Sequence, residues 1–174
     1  MKDIKDYIRT IPDFPQKGIM FRDITTLIQN ADGLKLAVDS MCDAVSDLDY
    51  DVIAGAESRG FVFGAPMAYR EHKPFVLIRK KGKLPGQTVS QSYDLEYGST
   101  EIEMHTDSFE KGAKVLIVDD LIATGGTTDA MIKLVEKLGG EVVGVCVLIE
   151  LPDLKGREKI AGYRLDSIVS YEGE

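Results

Sequence analysis

The sequence predicts an α/β fold whose central parallel sheet is covered by helices on both faces. Two observations lead to this prediction. Strand-like and helix-like segments alternate along residues 31–151, as they do in α/β proteins. The strand-like segments are also apolar throughout, which is typical of strands buried on both faces. With 174 residues, the chain is long enough for one sizeable core, so we expect a single domain over 1–174.

The individual elements follow from periodicity and capping signals. Residues 31–48 carry an apolar stripe at helical spacing, with Asn30 or Asp32 as the expected N-cap. A second helix is predicted over 61–72, and a third between the Gly125-Gly126 turn and Gly139-Gly140. The predicted strands cover residues 51–55, 74–78, 114–118 and 142–151.

Composition excludes several classes of protein. The formal net charge of −8 argues against general nucleic-acid binding. Cys42 and Cys146 lie in apolar segments, where buried thiols are expected instead of a disulfide or zinc site. The N-terminus is too polar for a signal peptide, and no apolar run approaches membrane-spanning length. We therefore expect a cytoplasmic protein with no membrane partner.

Three loops follow predicted strands at their carboxyl ends, where parallel sheets bind ligands. They cover residues 56–60, 79–98 and 119–128. The middle loop lacks clear periodicity over about twenty residues, a length that usually indicates a functional lid or a disordered insertion. We expect it to be a flexible lid.

Residues 124–128, Thr-Gly-Gly-Thr-Thr, predict a phosphate site. The first turn of a helix has unpartnered N–H groups and a positive dipole end, the two glycines let the backbone close around an anion, and threonine hydroxyls can donate. The lysine of a Walker A loop is missing. The alternative is a capped helix after a tight turn.

Two carboxylates, Asp119 and Asp120, stand directly before this cradle and would repel a phosphate. They are explained if the phosphate belongs to a sugar, because a carboxylate accepts hydrogen bonds from vicinal hydroxyls. Adjacent strand-end residues point in opposite directions, so at least one can reach across the site. The alternative is a solvated acidic pair.

A second anion site is predicted from the other two loops. Glu57-Ser58-Arg59-Gly60 combines an arginine, a hydroxyl and a glycine turn, which suit an anion. The run Arg79-Lys80-Lys81-Gly82-Lys83 would ordinarily be a solvated face, but beside a phosphate cradle it suits a clamp for a diphosphate. A phosphate, a ribose and a diphosphate together make up phosphoribosyl diphosphate.

The motifs resemble those of the adenine phosphoribosyltransferases, type I phosphoribosyltransferases of purine salvage, over essentially the whole chain. The family's phosphoribosyl-diphosphate motif is similar to VLIVDDLIATGGTT, its diphosphate loop to AGAESRGF, and its flexible loop to IRKKGKLPGQT. Its base-binding hood resembles FPQKGIMFRDITTLI, and its catalytic-loop segment resembles YDLEYGSTEIEMH.

The resemblance implies both fold and activity. The fold would be that of type I phosphoribosyltransferases, with a base-binding hood mainly within 1–30, a core over 31–151 and the flexible lid over 79–98. The protein would transfer the phosphoribosyl group of 5-phosphoribosyl 1-diphosphate to N9 of adenine, giving AMP and diphosphate. Mg²⁺ would be held mainly by the substrate, with no direct protein ligand assigned, and the assembly would be a homodimer.

The resemblance also assigns site residues. The catalytic residues would be Glu96, Arg59 and Lys83. The 5-phosphate and ribose would contact Asp119, Asp120, Ala123, Thr124, Gly125, Gly126 and Thr127. The diphosphate would contact Glu57, Ser58, Arg59, Arg79, Lys80, Lys83 and Tyr97, with a non-proline cis peptide between Glu57 and Ser58. Adenine would contact Met20, Phe21 and Arg22. The sequence assigns no role to His72 or His105.

Other interpretations stay open at this point. Phe21 could belong to the core, and Glu96 could be a solvated loop acid. The activity could be that of a 6-oxopurine (hypoxanthine, guanine or xanthine) phosphoribosyltransferase. The chain could also be a regulatory module that senses phosphoribosyl diphosphate, although such a sensor would normally carry a DNA-binding segment or a basic face.

Overall fold

The computed structural model describes residues 1–95 and 97–173. The strands are β1 (Arg9–Pro12), β2 (Met20–Asp23), β3 (Val52–Ala56), β4 (Phe75–Lys80), β5 (Thr88–Asp94), β6 (Ser99–His105), β7 (Lys114–Ile122), β8 (Glu141–Glu150) and β9 (Leu165–Ser170). The α-helices are α1 (Thr25–Ile28), α2 (Ala31–Ala44), α3 (Arg59–Glu71), α4 (Gly126–Lys137) and α5 (Gly156–Lys159), with 3₁₀ turns at Ile4–Tyr7 and Pro152–Leu154.

The main sheet has seven strands in the order β5-β6-β4-β3-β7-β8-β9. The pairs from β4 through β3, β7 and β8 to β9 are parallel, as the apolar strand pattern predicts. Strands β5 and β6 extend one edge as an antiparallel hairpin, with β6 paired to β4. The sheet is therefore mostly parallel, with an antiparallel edge.

Helices cover both faces of this sheet, which confirms the predicted layering. Successive residues of β7 enter opposite layers: Leu116 belongs to the same buried cluster as Phe63 of α3, whereas Ile117 belongs to the cluster that contains Met131 of α4. This alternation follows from the two-residue period of a strand. Asn30 is the N-cap of α2, because its side chain accepts hydrogen bonds from the amides of Asp32 and Gly33, both at 3.0 Å.

The segment 79–98 differs from its predicted lack of regular structure. Thr88–Asp94 forms β5 and pairs in register with β6, from Thr88 opposite His105 to Asp94 opposite Ser99. Only Val89 and Tyr93 of this strand pack against the core as apolar side chains. The residues beside them are polar, so the sequence shows too weak an apolar–polar alternation for the strand to be recognised. The flexibility of the segment stays a prediction.

A small antiparallel sheet at the N-terminus lies apart from the main one. Strands β1 and β2 pair from Arg9 opposite Asp23 to Pro12 opposite Met20, and Arg9 Nε donates to Asp23 Oδ2 at 2.6 Å. Within the described ranges, no helix is long and apolar enough to cross a membrane. Both cysteines are buried and free, as predicted.

Candidate functional site

A cleft of about 430 Å³ opens at the carboxyl ends of β3 and β7. Its walls come from two of the predicted loops, 56–60 and 119–128, together with Lys80 and Tyr93 from the third segment. The lining residues include Ala56, Glu57, Ser58, Arg59, Lys80, Tyr93, Asp119, Asp120 and every residue from Leu121 to Thr128. The fold thus brings the anion loops and the acidic pair together.

The predicted phosphate cradle is the turn that starts α4. Gly125 is the N-cap with φ +87°, and a Cβ at this position would be 2.8 Å from the Gly156 carbonyl oxygen. Only glycine combines this left-handed conformation with such close backbone packing. At Gly126, by contrast, a Cβ would have its nearest neighbours at 3.8 Å (Tyr93 Cδ2) and 4.0 Å (Thr124 Oγ1). The amides of the first turn therefore border open space in the cleft.

The acidic pair lies within β7, which continues past the predicted end at residue 118. Both residues are buried, Asp119 at 8% and Asp120 at 7% exposure. Arg59 Nε donates to Asp120 Oδ2 at 2.6 Å, and the amide of Asp120 donates to Asp119 Oδ1 at 2.8 Å. Gly60 makes room for Asp119, because a Cβ there would be 3.0 Å from Oδ1.

The two acids differ electrostatically because only Asp120 forms an ion pair with Arg59. Burial, followed by repulsion from Asp120, raises the pKa of Asp119 well above its usual range. Attraction by Asp120 raises the pKa of Arg59. The cleft therefore holds a neutralised carboxylate–guanidinium pair beside a second carboxyl group whose ionisation is unfavourable.

Asp119→Asn should raise thermal stability at pH 8 while lowering activity. An acid whose pKa is raised by folding binds its proton more tightly in the folded state, so folding loses stability as pH rises above the unfolded pKa. The stability advantage of the asparagine variant should therefore shrink as pH falls. Each kcal/mol relieved should raise Tm by about 2–4 °C.

Thermal unfolding of Asp119→Asn at several pH values checks this expectation. Asp107→Asn, at an exposed turn position, serves as the control and should leave Tm unchanged. An Asp119→Asn protein that is less stable than the parent at pH 8 would show that burial does not penalise the ionised acid.

The turn between β3 and α3 contains a cis peptide bond between Glu57 and Ser58, as predicted. Glu57 Oε1 accepts hydrogen bonds from the Lys80 amide at 2.7 Å and from Arg79 Nε at 3.2 Å. Burial opposes ionisation of Glu57, but these bonds lower its pKa. The Glu57 carboxylate therefore connects this turn to the end of β4 through hydrogen bonds. Ser58 precedes α3 without a side-chain capping bond and faces the cleft.

Other residues predicted to close over the diphosphate are not part of the lining. Arg79 is paired with Glu57. Lys83 lies in the turn after β4, where its amide donates to the Lys80 carbonyl at 3.2 Å. Tyr97 is 89% exposed. The predicted catalytic residue Glu96 lies outside the described residues.

The predicted adenine-binding residues form β2, in the small N-terminal sheet. Phe21 packs edge-on against Phe14, with ring centroids 5.1 Å apart, and Met20 is 40% exposed. The Arg22 guanidinium lies over the Tyr171 ring at 4.2 Å. Phe21 is therefore part of a surface aromatic pair and does not belong to either buried core cluster.

Comparison with known proteins decides the family. Residues 28–173 match the phosphoribosyl transferase domain family. The adenine phosphoribosyltransferase of Agathobacter rectalis is 65% identical over 174 residues, covering 100% of both chains. The chain belongs to the adenine phosphoribosyltransferase family.

Solved structures of adenine phosphoribosyltransferases share this fold. The enzyme of Thermoanaerobacter pseudethanolicus superposes with a TM-score of 0.94 at 48% identity, covering 97% of this chain and 98% of that one. The Saccharomyces cerevisiae enzyme, complexed with an imino-altritol bisphosphate and adenine, gives a TM-score of 0.90 at 35% identity, over 95% and 96% of the two chains. The type I phosphoribosyltransferase fold expected from the sequence is confirmed.

In this member of the adenine phosphoribosyltransferase family, the cleft contains a residue that the sequence analysis did not select. Tyr93 of β5 lines the cleft, and Thr127 Oγ1 donates to its hydroxyl oxygen at 3.3 Å. The sequence signal for Tyr93 was that it is the single aromatic residue in the segment 88–94. This segment was not recognised as a strand, so the signal was not used. Tyr93 joins the β5–β6 hairpin to the turn that starts α4.

Proposed function

We infer that this protein transfers the phosphoribosyl group of 5-phosphoribosyl 1-diphosphate to N9 of adenine, giving AMP and diphosphate in purine salvage. The observation that carries this inference is the full-length match to an adenine phosphoribosyltransferase at 65% identity. The cleft supports it, because one concave site combines a helix N-terminus, a buried acidic pair and an arginine.

We propose that the 5-phosphate binds the turn Ala123–Thr127. Its oxygens would accept hydrogen bonds from the first-turn amides of α4 and from the hydroxyls of Thr124 and Thr127, at the positive end of the helix dipole. The ribose hydroxyls would then face Asp119 and Asp120. This orientation accounts for two acids beside an anion site.

The diphosphate would lie over Ser58, Arg59 and Lys80, with Arg79, Lys83 and Tyr97 closing from outside the cleft and Glu57 ordering the turn. Arg59 uses Nε for Asp120, and a guanidinium retains further N–H donors for a second oxyanion. One arginine can therefore neutralise Asp120 and bind the leaving group.

The transition state would be stabilised because the acids lie at the ribose and the cations lie at the diphosphate. Displacement at the anomeric carbon passes through an oxocarbenium-like state, so carboxyl oxygens near the ribose stabilise positive charge while cations stabilise the leaving diphosphate. The β5–β6 hairpin and the turn before it would exclude water from the reacting carbon.

We propose that the substrate binds as its Mg²⁺ complex. Mg²⁺ is usually held by substrate phosphates, waters and one or two carboxylates, and the cleft offers the oxygens of Asp119 and Asp120. No group of three or more potential ligands is placed to hold a metal among the described residues, so the substrate would supply most of the ligands. Bound Mg²⁺ would neutralise charge on the diphosphate.

Adenine would be held by the N-terminal hood. We propose that Phe21 stacks on the base, and that backbone groups of Met20 and Arg22 read the amine and a ring nitrogen. Glu96 would accept a hydrogen bond from N7 of the base. The cytoplasmic location expected from the sequence stays a prediction.

Tyr93→Phe should weaken binding of every ligand that carries the 5-phosphate. We expect the Tyr93 hydroxyl to bind that phosphate, and one hydrogen bond to a charged group is worth about 1.5–3 kcal/mol, or roughly tenfold or more in affinity. The KM for phosphoribosyl diphosphate and the Kd for AMP should both rise, whereas the KM for adenine should not change.

Tyr163→Phe is the matched control for this measurement, because Tyr163 is bonded to Glu136 and does not line the cleft. It should leave the kinetics unchanged. Unaltered affinity for both phosphate ligands in Tyr93→Phe would exclude the hydroxyl from the phosphate site.

We expect a homodimer with two-fold symmetry, the commonest symmetry among oligomers. A neighbouring subunit would help to order the segment 79–98. Light scattering at micromolar concentration should give twice the mass of the chain. A monomeric mass together with full activity would contradict this expectation.

A comparison of bases tests the substrate class. Adenine should be the preferred acceptor over hypoxanthine and guanine at equal concentrations. Faster turnover of a 6-oxopurine would favour the alternative enzyme. Binding of phosphoribosyl diphosphate without transfer to any base would favour a regulatory sensor.

A further inference from the structure

The turn after β4 is folded around one carboxylate. We call residues 81–84, Lys-Gly-Lys-Leu, the lysine turn. Its amides have alternating partners: Lys81 donates to the Glu101 carbonyl at 3.0 Å, and Lys83 donates to the Lys80 carbonyl at 3.2 Å. The two remaining amides, those of Gly82 and Leu84, donate to Glu103 Oε1 at 3.1 and 2.9 Å. Every backbone N–H group of the turn is thereby satisfied.

Glu103 reaches these two amides from a buried position in the main sheet. It lies on β6, opposite Arg79 of β4 and Ser90 of β5, and it is only 5% exposed. Its second oxygen, Oε2, accepts a hydrogen bond from Thr88 Oγ1 at 3.3 Å. A single buried side chain therefore joins the lysine turn to the first residue of the hairpin.

We propose that Glu103 is a positioning residue for the transfer reaction, which fixes Lys83 over the leaving diphosphate. Lys83 lies between the two amides that Glu103 holds, so the path of its backbone depends on this carboxylate. The inference rests on the proposed function, because it needs a diphosphate at this side of the cleft.

A carboxylate suits this position for two reasons. It is an acceptor only, so Oε1 can take two N–H donors while Oε2 takes a hydroxyl. Its negative charge also lies among the cations Arg79, Lys80, Lys81 and Lys83, which otherwise repel one another. Glutamine would keep one oxygen for the two amides but lose the charge, whereas alanine would lose both.

Glu103→Ala should therefore resemble Lys83→Ala. Displacing Lys83 should remove its charge-assisted contact to the diphosphate, so we expect a roughly 10–100-fold rise in KM for phosphoribosyl diphosphate and for diphosphate in the reverse reaction. The KM for adenine and the Kd for AMP should stay unchanged, because neither ligand carries the diphosphate. Glu103→Gln should lie between the parent and Glu103→Ala.

Glu101→Gln is the matched control. Glu101 lies two residues away on the same face of β6 and pairs with Lys81 at 2.9 Å, but its side chain does not hold the amides of Gly82 and Leu84. Neutralising it should leave the KM for phosphoribosyl diphosphate near that of the parent. An equal rise in both variants would attribute the effect to charge alone and overturn the proposal.

The double variant Glu103→Ala/Lys83→Ala gives the decisive comparison. If Glu103 acts through Lys83, the double variant should be no worse than Lys83→Ala, because residues that act as a unit are not additive. A double variant whose KM rises by the product of the two single effects would overturn the proposal. A Glu103→Ala protein with a lowered Tm and every KM unchanged would also overturn it.

Glu103→Asp covers the case in which Glu103→Ala does not fold. It keeps the charge and shortens the reach to the amides, so it should raise the KM for phosphoribosyl diphosphate, and a parental value would overturn the proposal. Failure of the proposed function is distinguishable, because the parent protein itself would then make no AMP.

Discussion

Gly126→Val is expected to raise the KM for phosphoribosyl diphosphate by roughly 10²-fold, the loss of about two hydrogen bonds to a charged group. The reason is that the valine side chain would occupy the space in which the 5-phosphate binds. The fold should be spared, because a Cβ at Gly126 has no neighbour closer than 3.8 Å. Steady-state kinetics with each substrate varied in turn checks this, and the KM for adenine should hardly change.

Gly125→Ala provides the contrast. Gly125 has φ +87°, and a Cβ there would lie 2.8 Å from the Gly156 carbonyl oxygen, so this variant should lose thermal stability. Gly126→Val should retain the parental Tm. If Gly126→Val binds phosphoribosyl diphosphate as the parent does, the turn before α4 is not the phosphate site.

Glu96→Leu is expected to cut turnover by roughly 10²–10⁴-fold, the usual range for a positioned acid or base. A purine attacks through N9, whose lone pair is available only when the ring proton lies elsewhere, for example on N7. A carboxylate that accepts a hydrogen bond from N7 favours this tautomer and stabilises the charge that develops on the ring. Single-turnover kinetics measures the loss directly, and binding of phosphoribosyl diphosphate should barely change.

Two variants make this result specific. Glu96→Gln keeps the size of the side chain and can present its amide oxygen, so a partial loss is expected. Asp94→Asn neutralises an exposed acid two residues earlier and should leave turnover intact. Near-normal turnover in Glu96→Leu would falsify the role of Glu96.

The parallel part of the fold was predictable from sequence because its signals are local. The strands that become β3, β7 and β8 are continuous apolar runs, and glycines or an asparagine cap mark the ends of helices. The prediction for β7 stopped at residue 118 because acids are rare inside strands. In the structure β7 continues to Ile122, since Arg59 neutralises Asp120 and Gly60 leaves room for Asp119.

The pairings across the cleft could not be predicted, because they join residues distant in sequence. Arg59 and Asp120 are 61 positions apart, and Glu57 and Arg79 are 22 apart. Glu57 lines the cleft, and the bonds of its carboxylate to the end of β4 are contacts that the sequence did not predict. Tyr93 was missed because β5 has a mixed polar pattern and gains its stability from pairing with β6.

The central claim is tested most directly by counting products. The protein is incubated with adenine, 5-phosphoribosyl 1-diphosphate and Mg²⁺, and AMP and diphosphate are quantified over time. We predict that the two products appear in equal amounts, with hypoxanthine and guanine giving far slower transfer. Release of diphosphate without AMP, or no turnover of adenine by a folded protein, would contradict the account.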